Sequence, residues 1–156
     1  MQLEKKIAQK LIATGKTITI AESCTGGLLT HRLTNIPGSS AFLMASIISY
    51  SNTAKSKLLK IPASLIQKEG AVSPSVAGLM ARNARKLFNT TLSVAITGIA
   101  GPTGGSPQKP VGLVFIAVQN RKHLLVDRNL FNGSRIQIKK QAADRALKLL
   151  FKFVNE

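Results

Sequence analysis

The segment Ala21-Glu22-Ser23-Cys24-Thr25-Gly26-Gly27 sets a hydroxyl, a thiol and a carboxylate beside two glycines. Between a strand and a helix, such a segment holds a nucleophile at the end of a sheet. It also aims the free N–H groups of the first helical turn at a neighbouring ligand. Amide hydrolysis and anion binding both use that arrangement. GxSxG, GxGxxG and GxxxxGK[ST] are all absent, so partners elsewhere must decide between chemistry and an ordinary strand-to-helix turn. A nucleophilic serine needs a base, and the two histidines are poorly placed. His31 lies two turns into the following helix, and His123 opens a hairpin strand. A Ser–Lys arrangement remains, in which a lysine held neutral by burial or a nearby cation takes the serine proton.

Lys55 is the best lysine by position. It follows the second expected strand by about one helical turn, so it can stand beside Ser23. Tyr50, the one tyrosine, ends that strand and can relay or orient a proton. A solvated lysine and a half-buried ring are the plain alternatives on spacing alone. Cys24 competes with Ser23 as a thiol at a helix N-terminus, against a plainer role as a small buried side chain. Glu22 either orients Lys55 or a substrate group, or pairs with a cation on the surface.

The elements that must position these residues follow from periodicity. Leu3, Ile7 and Leu11 predict an amphipathic helix over 3–14, closed by Gly15. Residues 17–21 alternate as a strand, and a helix follows near 25–35, stopped by Pro37-Gly38. Ile47 to Tyr50 reads as a buried strand. Ser51 or Asn52 can cap a short helix through Leu59, and another helix runs from Pro62 to near Gly70. Ser73-Pro74 starts a longer one, to about residue 88. Strands follow at 92–97 and 111–118, the latter apolar enough to be central. Between them runs a loop, Gly98 to Pro110, with four glycines and three prolines. Loops of that length and composition are often functional, and this one leaves a strand end as the Ser23 turn does, so the two can face one pocket. A hairpin leads into an antiparallel strand over 123–130, and Ser134-x-x-Gln137 is a capping box for the last helix. Ile138, Ala142, Ala146, Leu149, Leu150 and Phe153 form the apolar face of that helix. Strands alternating with helices, plus one hairpin, predict an α/β fold: a three-layer α/β/α domain on a mixed, mostly parallel sheet of about five strands.

With 156 residues and 44% hydrophobic content, the chain reads as one domain over 1–156 with a substantial core. No apolar run approaches a membrane span and the N-terminus leads into no signal-type core, so the cytoplasm is the expected location, with no membrane partner. A single cysteine excludes an internal disulfide and a multi-cysteine zinc site. The net charge of +16 predicts an anionic partner, with phosphates on nucleic acid, on a membrane surface or on a small nucleotide all satisfying it. Six Phe, one Tyr and no Trp argue against single-strand binding by stacked bases.

Four segments, in order and spanning the chain, together resemble the CinA C-terminal domain family, the nicotinamide-nucleotide amidohydrolases of the PncC type. They are Ala21–Gly27, Tyr50-Ser-Asn-x-x-Lys55, Gly70-Ala-Val-Ser73, and Thr97-Gly-Ile-Ala-Gly-Pro102 with Gly104 to Gly112. The resemblance is to the stand-alone form of the domain. It implies a three-layer α/β/α fold and hydrolysis of the carboxamide of nicotinamide mononucleotide, without metal or other cofactor, to nicotinic acid mononucleotide and ammonia. By the same resemblance Ser23 is the nucleophile, Lys55 the base, Tyr50 the assisting tyrosine and Thr97 a substrate contact. Thr25, Gly26, Gly27 and Gly98 are then candidate substrate-binding positions, with the N–H groups around Thr25–Gly27 stabilising the oxyanion. Arg135 is the candidate for the substrate phosphate, and self-association is the expected assembly. The chain departs from the family pattern at Ser134 and Lys139, where aspartate and arginine are expected, and at Ser46, where glycine is. A binding module without turnover, and a basic protein bound to nucleic acid, are the rival readings.

Overall fold

The computed structural model describes residues 1–156. Helix α1 (Gln2–Thr14) ends at Gly15, whose φ of 63° is the left-handed turn expected of a glycine cap. Strand β1 (Ile18–Glu22) is buried along its whole length. Helix α2 (Leu28–Thr34) and a short 3-10 turn (Ser39–Ala41) lead to β2 (Leu43–Ile48). Three helices follow, α3 (Asn52–Leu59), α4 (Ala63–Glu69) and α5 (Pro74–Phe88). Strands β3 (Leu92–Gly98), β4 (Leu113–Gln119) and β5 (Leu124–Leu130) precede the last helix, α6 (Arg135–Val154).

The sheet order is β2-β1-β3-β4-β5. Strand β1 runs parallel to β2 and β3, while β4 runs antiparallel to β3 and β5, so β4 alone opposes the other four. Helices α1, α2 and α6 cover one face over a core that includes Ile7, Leu11, Ile18, Ile20, Leu33 and Leu150. On the other face α5 sits over Ala21, Ala95 and Ala117, small residues that let its own Ala77, Ala81 and Ala84 come close. No helix is long and apolar enough to cross a membrane.

Two strands lie differently from the expectation. β2 starts at Leu43, ends before Ser49, and alternates between half-buried and exposed residues. It is an edge strand paired only with β1, so its other hydrogen-bonding edge is unpaired. β4 begins at Leu113 because Gly112, at φ 94°, lies against the backbone of Phe131, where a side chain has no room. The caps lie where they were read. Ser51 accepts from the Ala54 N–H, Ser73 from Val76, and Ser134 shares a capping box with Gln137.

Candidate active site

The parallel strands β1, β2 and β3 end on the same side of the sheet, where α/β folds place their ligands. Three connections meet there: the Ser23–Gly27 turn, the link Ser49–Ser51, and the loop from Gly98 to Gly112. Period-2 alternation along β1 sorts its last residues between the two faces. Ile18 and Ile20 point into the α1–α2–α6 side, and Ala21 into the α5 side. Glu22 continues the first set and reaches under α2, and Ser23 continues the second and reaches towards α3. The Ser23 N–H donates to the Ile96 carbonyl at 3.0 Å, which ties the turn to β3.

Lys55 sits one turn into α3, and helical side chains lean back towards the N-terminus. That lean brings Nζ within 2.9 Å of Ser23 Oγ. The amine also donates to the Ser49 carbonyl at 2.8 Å and to that of Tyr50 at 3.4 Å. Lys55 is 1% exposed and Ser23 6%. No carboxylate reaches Lys55. Each of the six acids is bonded elsewhere: Glu4 and Asp144 to Arg32, Glu22 to backbone amides, Glu69 to Ser75, Asp127 to Arg145, and Glu156 to Asn120. Burial without a counter-charge disfavours the ammonium, so Lys55 is held below the ordinary lysine value of 10.5. A lysine displaced in that direction can accept a proton from the hydroxyl beside it.

Cys24 is buried as well. Burial pushes its thiol up to about 11, away from the acidified value that a reactive thiol at a helix N-terminus would show.

Four backbone amides follow Ser23, and two are used within the turn. The Gly26 N–H donates to the Ser23 carbonyl at 3.0 Å, and the Gly27 N–H to Glu22 Oε2 at 3.1 Å. The N–H groups of Cys24 and Thr25 have no protein acceptor. Of the Thr25–Gly27 span read from the sequence, the Thr25 N–H alone is left for an oxyanion, joined by that of Cys24 one residue earlier. Gly26 and Gly27 are there for backbone shape, at φ 60° and 98°.

A pocket of about 240 Å³ opens over Ser23 and Cys24, walled by Tyr50, Arg135 and the loop from Gly98 to Gly104. Arg135 spans its mouth, donating to the Gly101 carbonyl and to the Tyr50 hydroxyl, each at 2.7 Å. The Tyr50 hydroxyl is thus held by Arg135 and not by the lysine. Gly98 lines the wall, and a Cβ there would meet the Leu113 carbonyl at 2.9 Å. The Thr25 side chain is buried and its hydroxyl has no partner. Thr97 is buried too, and its hydroxyl donates to the Ala71 carbonyl at 2.9 Å, tying β3 to the Gly70–Ser73 segment.

Two features were not read from the sequence. Glu22 is neither a surface ion-pair partner nor a partner of Lys55. It is fully buried, and its carboxylate accepts from the N–H groups of Gly27, Leu29 and Thr30. The available signal was the helix that follows, whose N-cap is a glycine with no side chain to cap it. The second is the place of Lys139, which the sequence marks only as a departure from the family's arginine: its Nζ stands 3.7 Å from where a Gly26 Cβ would lie, one turn beyond Arg135 on α6.

Comparison with known proteins gives a consistent picture. The model of the CinA C-terminal domain matches residues 1–154. A Moorella thermoacetica protein provisionally named for competence-damage induction is 48% identical over 150 residues, covering 96% of this chain and 36% of its own length. A CinA-like protein of Geotalea uraniireducens is 46% identical over 137 residues, covering 88% of this chain and 33% of its own. The chain thus spans about a third of the length of these relatives. Among solved structures, a competence/damage inducible protein from Agrobacterium tumefaciens superposes with a TM-score of 0.96 at 36% identity, covering 99% of this chain and 94% of that one. A CinA superfamily protein from Klebsiella pneumoniae gives 0.94 at 31%, covering 99% and 96%. A family match over nearly every residue, with the same fold in solved relatives, places this chain in the CinA C-terminal domain family.

Proposed function

We propose that this chain is a serine–lysine amidohydrolase that removes the carboxamide nitrogen of nicotinamide mononucleotide. The observation that carries the reading is the 2.9 Å contact between the Lys55 amine and Ser23 Oγ, with no carboxylate to hold that amine charged. Neutral Lys55 takes the Ser23 proton as Oγ attacks the carboxamide carbon. Charge then develops on the carbonyl oxygen, where the free N–H groups of Cys24 and Thr25 receive it. One such donor is worth on the order of 3 kcal/mol of transition-state stabilisation. The lysine returns the proton to the departing nitrogen and ammonia leaves, with a nicotinoyl ester on Ser23. Water attacks that ester with Lys55 again as base, and the acid is released. The positive charge of the pyridinium ring makes its carboxamide carbon more electrophilic, which suits a modest nucleophile. Arg135, with Lys139 one turn on, supplies cations for the substrate phosphate at the pocket mouth.

Purified protein incubated with nicotinamide mononucleotide in EDTA tests this directly. Wild type is expected to release ammonia and Ser23→Ala to lose roughly 10,000-fold or more of that rate. Nucleotide binding with no ammonia from wild type would instead make the domain a binding module.

A further inference from the structure

Glu22 adjoins the nucleophile but has no part in the chemistry above, and it is the most completely buried acid in the protein, with no exposed surface. An uncompensated carboxylate does not persist in such a place. Its compensation is wholly backbone and hydroxyl. Oε2 accepts from the Gly27 and Leu29 N–H groups at 3.1 and 3.2 Å, and Oε1 accepts from the Thr30 N–H at 2.9 Å and the Thr30 hydroxyl at 2.7 Å. The Thr30 oxygen also meets Ser46 Oγ at 2.6 Å, which extends the network to β2. The three amides are ones that the start of α2 leaves without helical acceptors. The end of β1 therefore supplies the cap that the glycine at the helix N-terminus does not.

The cap has a consequence for the turn between. Glu22 is fixed at the end of β1 and draws Gly27 inward from the far side. The Gly27 N–H is spent on it, the Gly26 N–H on the Ser23 carbonyl, and those of Cys24 and Thr25 are left free. Anchor and nucleophile are consecutive residues pointing to opposite faces, so a shift of one moves the other. The carboxylate also occupies the N-terminus of α2, which leaves a substrate anion to the cations of α6.

We infer that Glu22 is a positioning residue of the reaction: its buried carboxylate holds the Ser23 turn so that Oγ meets Lys55 and the Cys24 and Thr25 amides stay available to the oxyanion. The inference rests on the serine–lysine reading, and its test does not depend on the natural substrate. A fluorophosphonate reagent phosphonylates an activated serine: the Oγ–P bond forms, fluoride leaves, and the serine proton passes to the base. Its incorporation at Ser23 is followed by peptide mass spectrometry across reagent concentrations, for wild type and Glu22→Gln. Glutamine has nearly the same volume but replaces one acceptor oxygen with a donor that faces the amides. Glu22→Gln is expected to lower the maximal labelling rate by about 100-fold, the scale of a small misplacement of reacting groups, without changing the half-saturating concentration.

A folded Glu22→Gln protein that labels at the wild-type rate overturns the inference and leaves the serine mechanism standing. Wild type that does not label at Ser23 overturns both. Should Glu22→Gln not fold, Thr30→Val carries the test, since it removes one hydroxyl bond to the carboxylate and keeps the backbone. A fall of about fivefold supports the inference, on the scale of one lost hydrogen bond, and an unchanged rate overturns it.

Discussion

Glu22 and Lys55 are both buried within a few ångströms of the same serine turn, and their surroundings are opposite in kind. Four donors converge on the Glu22 oxygens. Lys55 faces the Ser23 hydroxyl and two backbone carbonyls, which hydrogen-bond it without neutralising its charge. Glu22 is satisfied as it stands, and that suits an anchor. Lys55 is left with its charged form disfavoured, and that suits a base. The Asp127–Arg145 pair, between β5 and α6, shows a third case: full charge complementarity, two bonds at 2.7 and 3.0 Å, and solvent on one side. What separates these three ionisable groups is whether a partner stabilises the charge; burial alone does not.

That contrast can be broken first at Lys55. Lys55→Met is expected to cut turnover by about 1,000-fold, the contribution of a positioned base, while the denaturation midpoint holds or rises because no ion pair is lost. A fall in midpoint like that of a broken buried pair would place an unseen counter-charge beside the amine. The pH profile sharpens the same point. A group depressed in the folded state gains its neutral form as pH rises, so kcat/KM should climb to a plateau with an apparent pKa below 10.5. The stability linked to Lys55 has the same sign: it is present above the unfolded value of 10.5 and lost as pH falls through the folded one.

Arg135 comes next in size. Arg135→Ala removes the bridge to Gly101 and Tyr50, and should raise KM for a phosphorylated substrate by about 10- to 100-fold, with a much smaller change for the matching riboside. Equal losses on both would assign the arginine to the pocket wall and not to phosphate. The smallest effect belongs to the solvent-facing pair. Arg145→Met should cost at most about 1 kcal/mol at neutral pH. Arg145 holds the Asp127 carboxyl below 3.8, so that stability is present above pH 3.8 and lost as pH falls through the folded value. Urea denaturation at neutral and acid pH should show wild type and variant converging at the acid end.

Much of this molecule was legible in its sequence, for local reasons. Gly15, Ser51, Ser73 and Ser134 punctuate helices through bonds to their own neighbours, so their caps follow from residue type and spacing. The buried faces of α5 and α6 follow from helical period. The edge character of β2 does not, because Phe42 to Tyr50 is mostly apolar and only the sheet order leaves one side of it unpaired. At the site, residue types nominated Ser23 and Lys55, but 32 residues separate them, and their 2.9 Å contact depends on β1 and β2 lying side by side.

Residue types and their spacing suffice for the family, the helix caps, the strand-to-helix turn and the shortage of histidine that turns attention to a lysine. Tertiary structure decided the states of the ionisable groups, since these depend on which dipoles and charges the fold gathers around each one. Nothing in the order Glu22-Ser23-Cys24 states that the carboxylate will lie under one helix, the hydroxyl will face another, and the thiol will be too buried to ionise. The alternation of β1 and the two layers it separates decide all three.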